Sequence, residues 1–125
     1  MSSLHMIFVY GTLKRGFCRS HFLAGQQFLG AAQSLRQYRM FNCGTYPGLK
    51  FVSDAGCSII GELWAVDAGC LARLDREEGV DEGLYARRVI ELATPLLAGV
   101  APEMIEAYFY LPSAEGLPDC GECWV

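Results

Sequence analysis

The order of apolar and polar positions along the chain predicts several short strands and one clear helix. Strands are predicted at residues 5–10, 49–52, 57–66, 84–92 and 104–110, and residues 27–42 form a further extended segment. A weak helical pattern over residues 17–26 ends near Gly25. Asp67 stands where the N-cap of a helix over residues 68–78 is expected. Strands joined mostly by turns, with one or two helices between them, predict an α+β fold.

Glycine and proline mark the segments between these elements. The stretch from Cys43 to Gly48 contains two glycines and a proline, which predicts a loop. A turn is predicted at residues 53–56, and residues 93–103 form a longer connection before the last strand. The chain contains neither an internal repeat nor a linker, so residues 1–125 are predicted to form a single domain.

The end of the first strand carries the most informative motif. An apolar run over residues 6–9 breaks into Tyr10-Gly11-Thr12-Leu13-Lys14-Arg15-Gly16. Gly11 permits a tight turn there, so successive backbone N–H groups can converge on an anion such as a carboxylate. The spacing of a P-loop is absent, so a nucleotide phosphate is not indicated. From the residues alone, an ordinary transition from strand to turn is the favoured interpretation of the motif.

Composition narrows the classes of function. Of the 125 residues 52% are hydrophobic and 14 are glycine, and the net charge is −4. This charge gives no general attraction to nucleic acid or to an anionic membrane. No secretory signal and no apolar stretch long enough to cross a bilayer is recognisable. We therefore expect a cytoplasmic protein without nucleic-acid or membrane partners; its oligomeric state is left open.

Six cysteines and two histidines are the candidate metal ligands and redox groups. The cysteines are Cys18, Cys43, Cys57, Cys70, Cys120 and Cys123. Only Cys120 and Cys123 have paired spacing, and no second pair completes a zinc site. An inert terminal segment, a disulfide and a metal ligand pair remain the alternatives for these two residues. His5 and His21 lack the spacing of a metal site or a triad, so we predict no metal.

The motif at Tyr10–Gly16 resembles the γ-glutamylcyclotransferase-like superfamily, and more narrowly its γ-glutamylamine cyclotransferase and AIG2-like branch. Further segments agree in the same order: Phe28-Leu29-Gly30, Tyr46-Pro47-Gly48-Leu49, Gly61-Glu62-Leu63-Trp64, Leu74-Asp75 with Glu78, Tyr85 with Arg87, and Ala107-Tyr108-Phe109-Tyr110. The resemblance covers about residues 6–112 and leaves residues 113–125 as a tail. It implies a small mixed β-barrel with short flanking helices.

The resemblance also implies a reaction. In this family the α-amine of a γ-glutamyl group attacks its own γ-carbonyl, which closes 5-oxoproline and expels an amine. The expected partner is a small γ-glutamyl compound, and neither a metal nor an organic cofactor is implied. Ring closure already holds the two reacting groups together, so the step requires positioning and a base for the ammonium proton.

Helical phase selects one carboxylate as this base. The candidates are Asp75, Glu77, Glu78 and Glu82. Leu71 and Leu74 define the inward face of the predicted helix, and Glu78 follows them at i+7 and i+4. The family pattern Leu-Asp-x-x-Glu places its general base at the same residue. An exposed glutamate at a helix end is the alternative interpretation.

Glu62 is a second acidic residue expected to point inward. It shares the strand phase of Ile60, Trp64 and Val66. We predict that it binds a backbone group or an arginine rather than acting as the base.

The remaining site residues follow from the resemblance. It implies that Tyr10, Gly11, Thr12 and Leu13 bind the γ-glutamyl moiety through backbone groups. Tyr85 and Tyr110, together with Tyr108, are candidate hydroxyl donors to the pocket, with packing in the core as the alternative. Arg87 is expected on an outward or rim position.

Two departures from the family pattern concern the rim of the pocket. Arg19 stands where the γ-glutamylamine branch commonly carries an asparagine, and about one extra residue separates Glu78 from Tyr85. Both bear on which substrate is used more than on the type of reaction. A non-catalytic module that binds a small acidic metabolite is the alternative function. Glu78 argues against that alternative, because a nearby carboxylate does not help a protein to bind an anion.

Overall fold

The computed structural model describes residues 4–96 and 99–125 and shows seven strands and one α-helix. The strands are β1 His5–Val9, β2 Gln27–Gln33, β3 Tyr38–Asn42, β4 Pro47–Phe51, β5 Ile60–Val66, β6 Tyr85–Val89 and β7 Ile105–Tyr110. Helix α1 spans Ala68–Glu77, and single 3₁₀ turns lie at Ser20–Leu23, Val80–Glu82 and Pro102–Met104. The α+β prediction is confirmed.

All seven strands belong to one mixed sheet. Along the main path the order is β2-β5-β1-β7-β4-β3, and β6 pairs with β7 outside this path. The central strand β7 is antiparallel to β6 and parallel to both β1 and β4. Strands β2 and β3 end the path and do not pair with each other. The sheet is therefore not closed, so the predicted barrel describes the fold only loosely.

Side chains alternate between two hydrophobic clusters on the two faces of the sheet. In β1, Phe8 enters one cluster while Ile7 and Val9 enter the other. Helix α1 covers the second cluster with Leu71 and Leu74, which are both buried. The helical phase read from the sequence is thus confirmed.

The two ends of α1 follow the predicted local chemistry. The side chain of Asp67 accepts a hydrogen bond from the backbone N–H of Cys70 at 2.7 Å, which caps the first turn. Glu78 is the C-terminal cap, and Gly79 leaves the helix in the left-handed region with a φ of 69°. The chain then turns towards β6, so Glu78 stays at the end of the helix beside the sheet.

Several segments differ from the predictions: the strands predicted at residues 57–66 and 84–92 are shorter, at Ile60–Val66 and Tyr85–Val89. The predicted helix over 17–26 is only the 3₁₀ turn at Ser20–Leu23, and the extended segment 27–42 is two strands rather than one. The break between them lies after Ser34, whose N–H still donates to the carbonyl of Ile59 at 2.9 Å. The buried hydroxyl of Ser34 accepts from the N–H of Ile59 and donates to the carbonyl of Leu35, both at 2.8 Å. Pro47 lies in the predicted loop but is the first residue of β4. Proline is tolerated there because the first residue of a strand need not donate a backbone hydrogen bond.

The last residues of the chain hydrogen bond with the sheet. The N–H of Cys120 donates to the carbonyl of Met40, and the carbonyl of Glu122 accepts from Ile60, both at 2.8 Å. Lys14, which is 7% exposed, donates from Nζ to the carbonyl of Trp124 at 2.8 Å. The segment after β7 is thereby attached to the turn that follows β1.

Candidate active site

A small pocket opens between the end of β1 and the end of α1. It is lined by Phe8, Val9, Tyr10, Gly11, Thr12, Leu13, Tyr46, Pro47, Glu78, Tyr85 and Tyr108. Six of the seven predicted site residues therefore lie together, although the chain separates the first from the last of them by 75 positions. Tyr46 and Pro47 had not been assigned to the site, because their Gly- and Pro-containing surroundings indicated only a loop.

The turn after β1 contains backbone N–H groups that make no hydrogen bond with other described residues. The carbonyl of Gly11 accepts from Lys14 at 3.1 Å, and that of Thr12 accepts from Arg19 at 2.9 Å. Within residues 4–96 and 99–125, no hydrogen bond uses the N–H of Gly11, Thr12 or Leu13. Three adjacent N–H groups in a turn that lines the pocket are thus available to an anionic group.

Gly11 is required for a reason other than the expected one. Its φ is not positive, so an unusual backbone conformation does not explain the glycine. Instead, a Cβ atom at this position would lie 2.5 Å from Cγ of Pro47. The turn and the start of β4 approach each other too closely for any side chain at residue 11.

Glu78 faces this turn from the end of α1. Burial raises the pKa of its carboxyl from 4.5 to about 7, the Arg19 guanidinium opposes that rise, and the charge of Glu77 adds to it. Arg19 Nη1 lies 3.3 Å from Glu77 Oε1. No hydrogen bond among the described residues engages the Glu78 carboxyl group, so it is available to a ligand.

The hydroxyls of the pocket tyrosines donate to acceptors within the protein. The Tyr10 hydroxyl donates to the carbonyl of Tyr108 at 2.7 Å, and the Tyr85 hydroxyl donates to the carbonyl of Pro47 at 2.6 Å. The Tyr108 hydroxyl donates to Asp75 Oδ1 at 2.7 Å. Carbonyl and carboxylate oxygens carry no proton, so each tyrosine must be the donor in these pairs. Burial raises the pKa of all three phenols, which keeps them neutral. The expected role of Tyr85 as a donor to the ligand stays a prediction, and in this structure each phenol oxygen presents its lone pairs to the pocket.

Tyr110 is the predicted site residue that the structure does not bring into the pocket. Its ring packs edge-on against that of Tyr85 with 5.5 Å between the centroids, and it does not belong to the residues that line the pocket. Tyr108 precedes it by two residues on the same face of β7 and lines the pocket instead. The sequence pattern did not distinguish these two tyrosines.

The other acidic candidates are engaged elsewhere or exposed. Asp75 is paired with Arg87 through two bonds of 3.0 and 3.1 Å. Glu62 accepts from the backbone N–H of Arg15 at 3.0 Å, as predicted. Glu82 lies on the surface. Glu78 is thus the carboxylate that combines burial, access to the pocket and freedom from an arginine partner within hydrogen-bond distance.

The two sides of the pocket differ in hydrogen-bonding character. The turn after β1 offers N–H donors, while Glu78 and the phenol oxygens offer only acceptors. This arrangement suits a zwitterionic α-amino acid group, with its carboxylate on the turn and its ammonium beside Glu78.

No cluster of three metal-binding side chains occurs within residues 4–96 and 99–125. All six cysteines are free thiols, and Cys123 contacts Nζ of Lys14 at 3.7 Å. Across the same described ranges, every helix is too short or too polar to span a membrane.

Comparison with known proteins identifies similar chains. The family model described as "Gamma-glutamyl cyclotransferase, AIG2-like" matches residues 7–124. A relative from Arabidopsis thaliana, named provisionally as a gamma-glutamylcyclotransferase, is 40% identical over 97 residues, which are 70% of this chain and 51% of that protein. The chain thus spans about half the length of this relative.

A gamma-glutamylcyclotransferase family protein of Escherichia coli K12 is 38% identical over 87 residues, covering 68% of this chain and 71% of that protein. Among solved structures, an AIG2-like protein from Mus musculus superposes with a TM-score of 0.76 at 25% identity, covering 93% of this chain and 85% of that one. Sequence and fold therefore agree on the same group of proteins.

Proposed function

The chain belongs to the gamma-glutamyl cyclotransferase, AIG2-like family, and we propose that it releases 5-oxoproline and a free amine from a γ-glutamyl compound. The observation that carries this proposal is the half-buried Glu78, with its pKa of about 7, opposite three unused backbone N–H groups. A base with a pKa near neutrality is ionised often enough to accept a proton and is basic enough to hold it.

Binding orients the reacting atoms. The turn over residues 10–13 holds the α-carboxylate, and the lone pairs of the pocket tyrosines face the α-ammonium. The γ-carbonyl then lies within reach of the α-nitrogen, because both belong to one short chain. The protein gains most of its advantage by fixing this conformation rather than by supplying a nucleophile.

Proton transfer accounts for the rest of the reaction. Glu78 accepts one proton from the α-ammonium, and the freed amine attacks the γ-carbonyl carbon to form the lactam C–N bond. When the original amide C–N bond breaks, the proton passes from Glu78 to the leaving nitrogen. The attacking nitrogen still carries one proton more than the lactam keeps, and Glu78 transfers this second proton to the released amine, which departs as an ammonium ion. The carboxylate is thereby regenerated, and the reaction consumes no water.

A release assay tests the proposal directly. Purified protein is incubated with γ-glutamyl amines, γ-glutamyl amino acids and glutathione, and 5-oxoproline is quantified by mass spectrometry. We expect turnover with at least one of these substrate groups. Binding detected by calorimetry without any release would instead support a module that binds small acidic metabolites.

The rate should depend on pH through Glu78. Only the ionised carboxylate can accept the ammonium proton, so kcat/KM is expected to rise with pH and level off above an apparent pKa of about 7. Below that value kcat/KM should fall about tenfold per pH unit. A profile recorded under substrate-limited conditions measures this pKa in the free enzyme. A midpoint near the ordinary glutamate value of 4.5 would contradict the assignment.

Tyr85 and Tyr110 form a matched pair of substitutions. Tyr85→Phe removes the hydroxyl that holds the carbonyl of Pro47 at 2.6 Å, so we expect kcat/KM to fall about tenfold through loss of pocket geometry. Tyr110→Phe removes a hydroxyl outside the pocket lining and should stay within about twofold of wild type. A larger loss for Tyr110→Phe would show that it contacts the substrate.

A further inference from the structure

A polar cluster behind the pocket has no part in the proposed reaction. Arg87 Nε and Nη2 donate to the two carboxylate oxygens of Asp75 at 3.0 and 3.1 Å, and Nη1 donates to Glu106 Oε1 at 2.7 Å. Asp75 Oδ1 also accepts the hydroxyl proton of Tyr108 at 2.7 Å. The Asp75 carboxylate of α1 thus accepts hydrogen bonds from both β6 and β7, one helical turn before Glu78.

Tyr108 connects this cluster to the pocket. Its side chain is 3% exposed and lines the same space as Glu78. A phenol has a single proton, so a hydroxyl that donates to Asp75 cannot also donate to another carboxylate. We propose that Asp75 is a positioning residue, which keeps the Tyr108 hydroxyl from donating to Glu78 and so preserves Glu78 as a base.

The chemical reason lies in what a hydrogen bond does to a carboxylate. A donor stabilises the ionised form, lowers the pKa and weakens the base. The charged and titratable groups that face Glu78 are Arg19, Glu77, Tyr10, Tyr85 and Tyr108. Tyr10 and Tyr85 donate to backbone carbonyls, which no substitution removes. Tyr108 is the phenol whose acceptor is a side chain.

This inference rests on the proposed function, because the pKa of Glu78 matters only if Glu78 moves a proton. Two substitutions of Asp75 separate the effect of the acceptor from that of the charge. Asp75→Leu removes both, while Asp75→Asn removes the charge but keeps an amide oxygen for Tyr108. We expect the leucine variant to lower the pKa of Glu78 by at least about one pH unit, because hydrogen bonds to an ionised group are strong. The asparagine variant should retain most of the wild-type value.

Two further variants serve as controls. Glu106→Gln disturbs the same arginine through a carboxylate that does not touch Tyr108, so the pKa of Glu78 should not move. In the double variant Asp75→Leu/Tyr108→Phe the hydroxyl is absent, and the shift caused by Asp75→Leu should disappear. A shift that persists in the double variant would arise from charge or packing and would overturn the proposal.

The readout does not depend on activity. A carbon-13 NMR titration of the glutamate carboxyl groups, with the Glu78 signal assigned by its loss in Glu78→Gln, gives the pKa in the free protein. The acid limb of kcat/KM is measured alongside. If the wild type releases no 5-oxoproline, the proposed function fails while the titration still tests the hydrogen-bond argument.

Equal pKa values in wild type and Asp75→Leu would overturn the positioning role alone. Circular dichroism checks the fold of each variant. Should Asp75→Leu not fold, Tyr108→Phe gives an independent test, because it is expected not to raise the pKa of Glu78. A rise would show that Tyr108 already donates to Glu78, which would also overturn the proposal.

Discussion

Glu78→Gln is expected to lower kcat/KM for 5-oxoproline release by about 10²–10⁴-fold, the usual contribution of a general base. Glutamine has nearly the same shape but cannot accept the ammonium proton. The pocket keeps its three free N–H groups and its phenol oxygens, so the variant should still bind a γ-glutamyl compound. Activity is measured by 5-oxoproline release, and binding by calorimetry with the best substrate.

The stability of the same variant separates a catalytic residue from a structural one. The pKa of the Glu78 carboxyl is raised in the folded protein, so the folded state binds this proton more tightly than the unfolded state does. The stabilisation that this proton provides is complete below about pH 4.5 and is lost as the pH rises towards 7.

Above about pH 7 the buried charge then costs about 2 kcal/mol, after allowance for the access of water to the pocket. Relative to wild type, Glu78→Gln should therefore gain about 2 kcal/mol in free energy of unfolding between about pH 4 and about pH 8. Urea denaturation at both pH values measures the gain. A variant that loses both activity and stability at pH 8 would indicate a structural role for Glu78, and one with full activity would exclude it as the base.

Gly11→Ala should have the second largest effect. The added Cβ would lie 2.5 Å from Cγ and 2.9 Å from Cδ of Pro47, so either the turn or the start of β4 must move. Because both segments line the pocket, a displacement of about 1 Å is expected to lower kcat/KM about 10²-fold. Overpacking of this kind also destabilises proteins by about 1–3 kcal/mol, which thermal unfolding measures.

Gly69→Ala is the matched control for this substitution. Gly69 lies in the first turn of α1, and a Cβ there meets its nearest neighbour, Asp67 Oδ1, at 3.4 Å. Alanine favours the helix over glycine by up to about 1 kcal/mol, so this variant should be at least as stable as wild type and equally active. If Gly11→Ala behaved like Gly69→Ala, the close approach of the turn to Pro47 would not constrain the site.

Local rules predicted the elements that are governed by neighbours in sequence. Asp67 caps α1, and the spacing of Leu71 and Leu74 fixes which side of the helix is buried. These features depend on residues three or four positions apart, and a sequence shows them directly. The same spacing predicts that Glu78 lies on the buried side of the helix.

Features that depend on distant parts of the chain could not be predicted in this way. Tyr108 and Tyr110 share one face of β7, and only the packing of β6 and β4 around that strand decides which of them reaches the pocket. The direction of the Tyr85 hydroxyl depends likewise on the carbonyl of Pro47, 38 positions away. Gly11 was recognised as necessary, but its physical reason, contact with Pro47, required the tertiary structure.

The central place of β7 in the sheet also determines when the protein can fold during its synthesis. Strand β6 occupies one edge of β7, while β1 and β4 share the opposite edge. These three strands are synthesised before residues 105–110 and can pair with β7 only after those residues have been made. Until those residues leave the ribosome, β1, β4 and β6 each keep an unpaired edge, and unpaired edges are templates for aggregation. Pairings between β1 and β7 span about 100 residues, which slows folding as well. We therefore expect the nascent chain to depend on chaperones until β7 has been made.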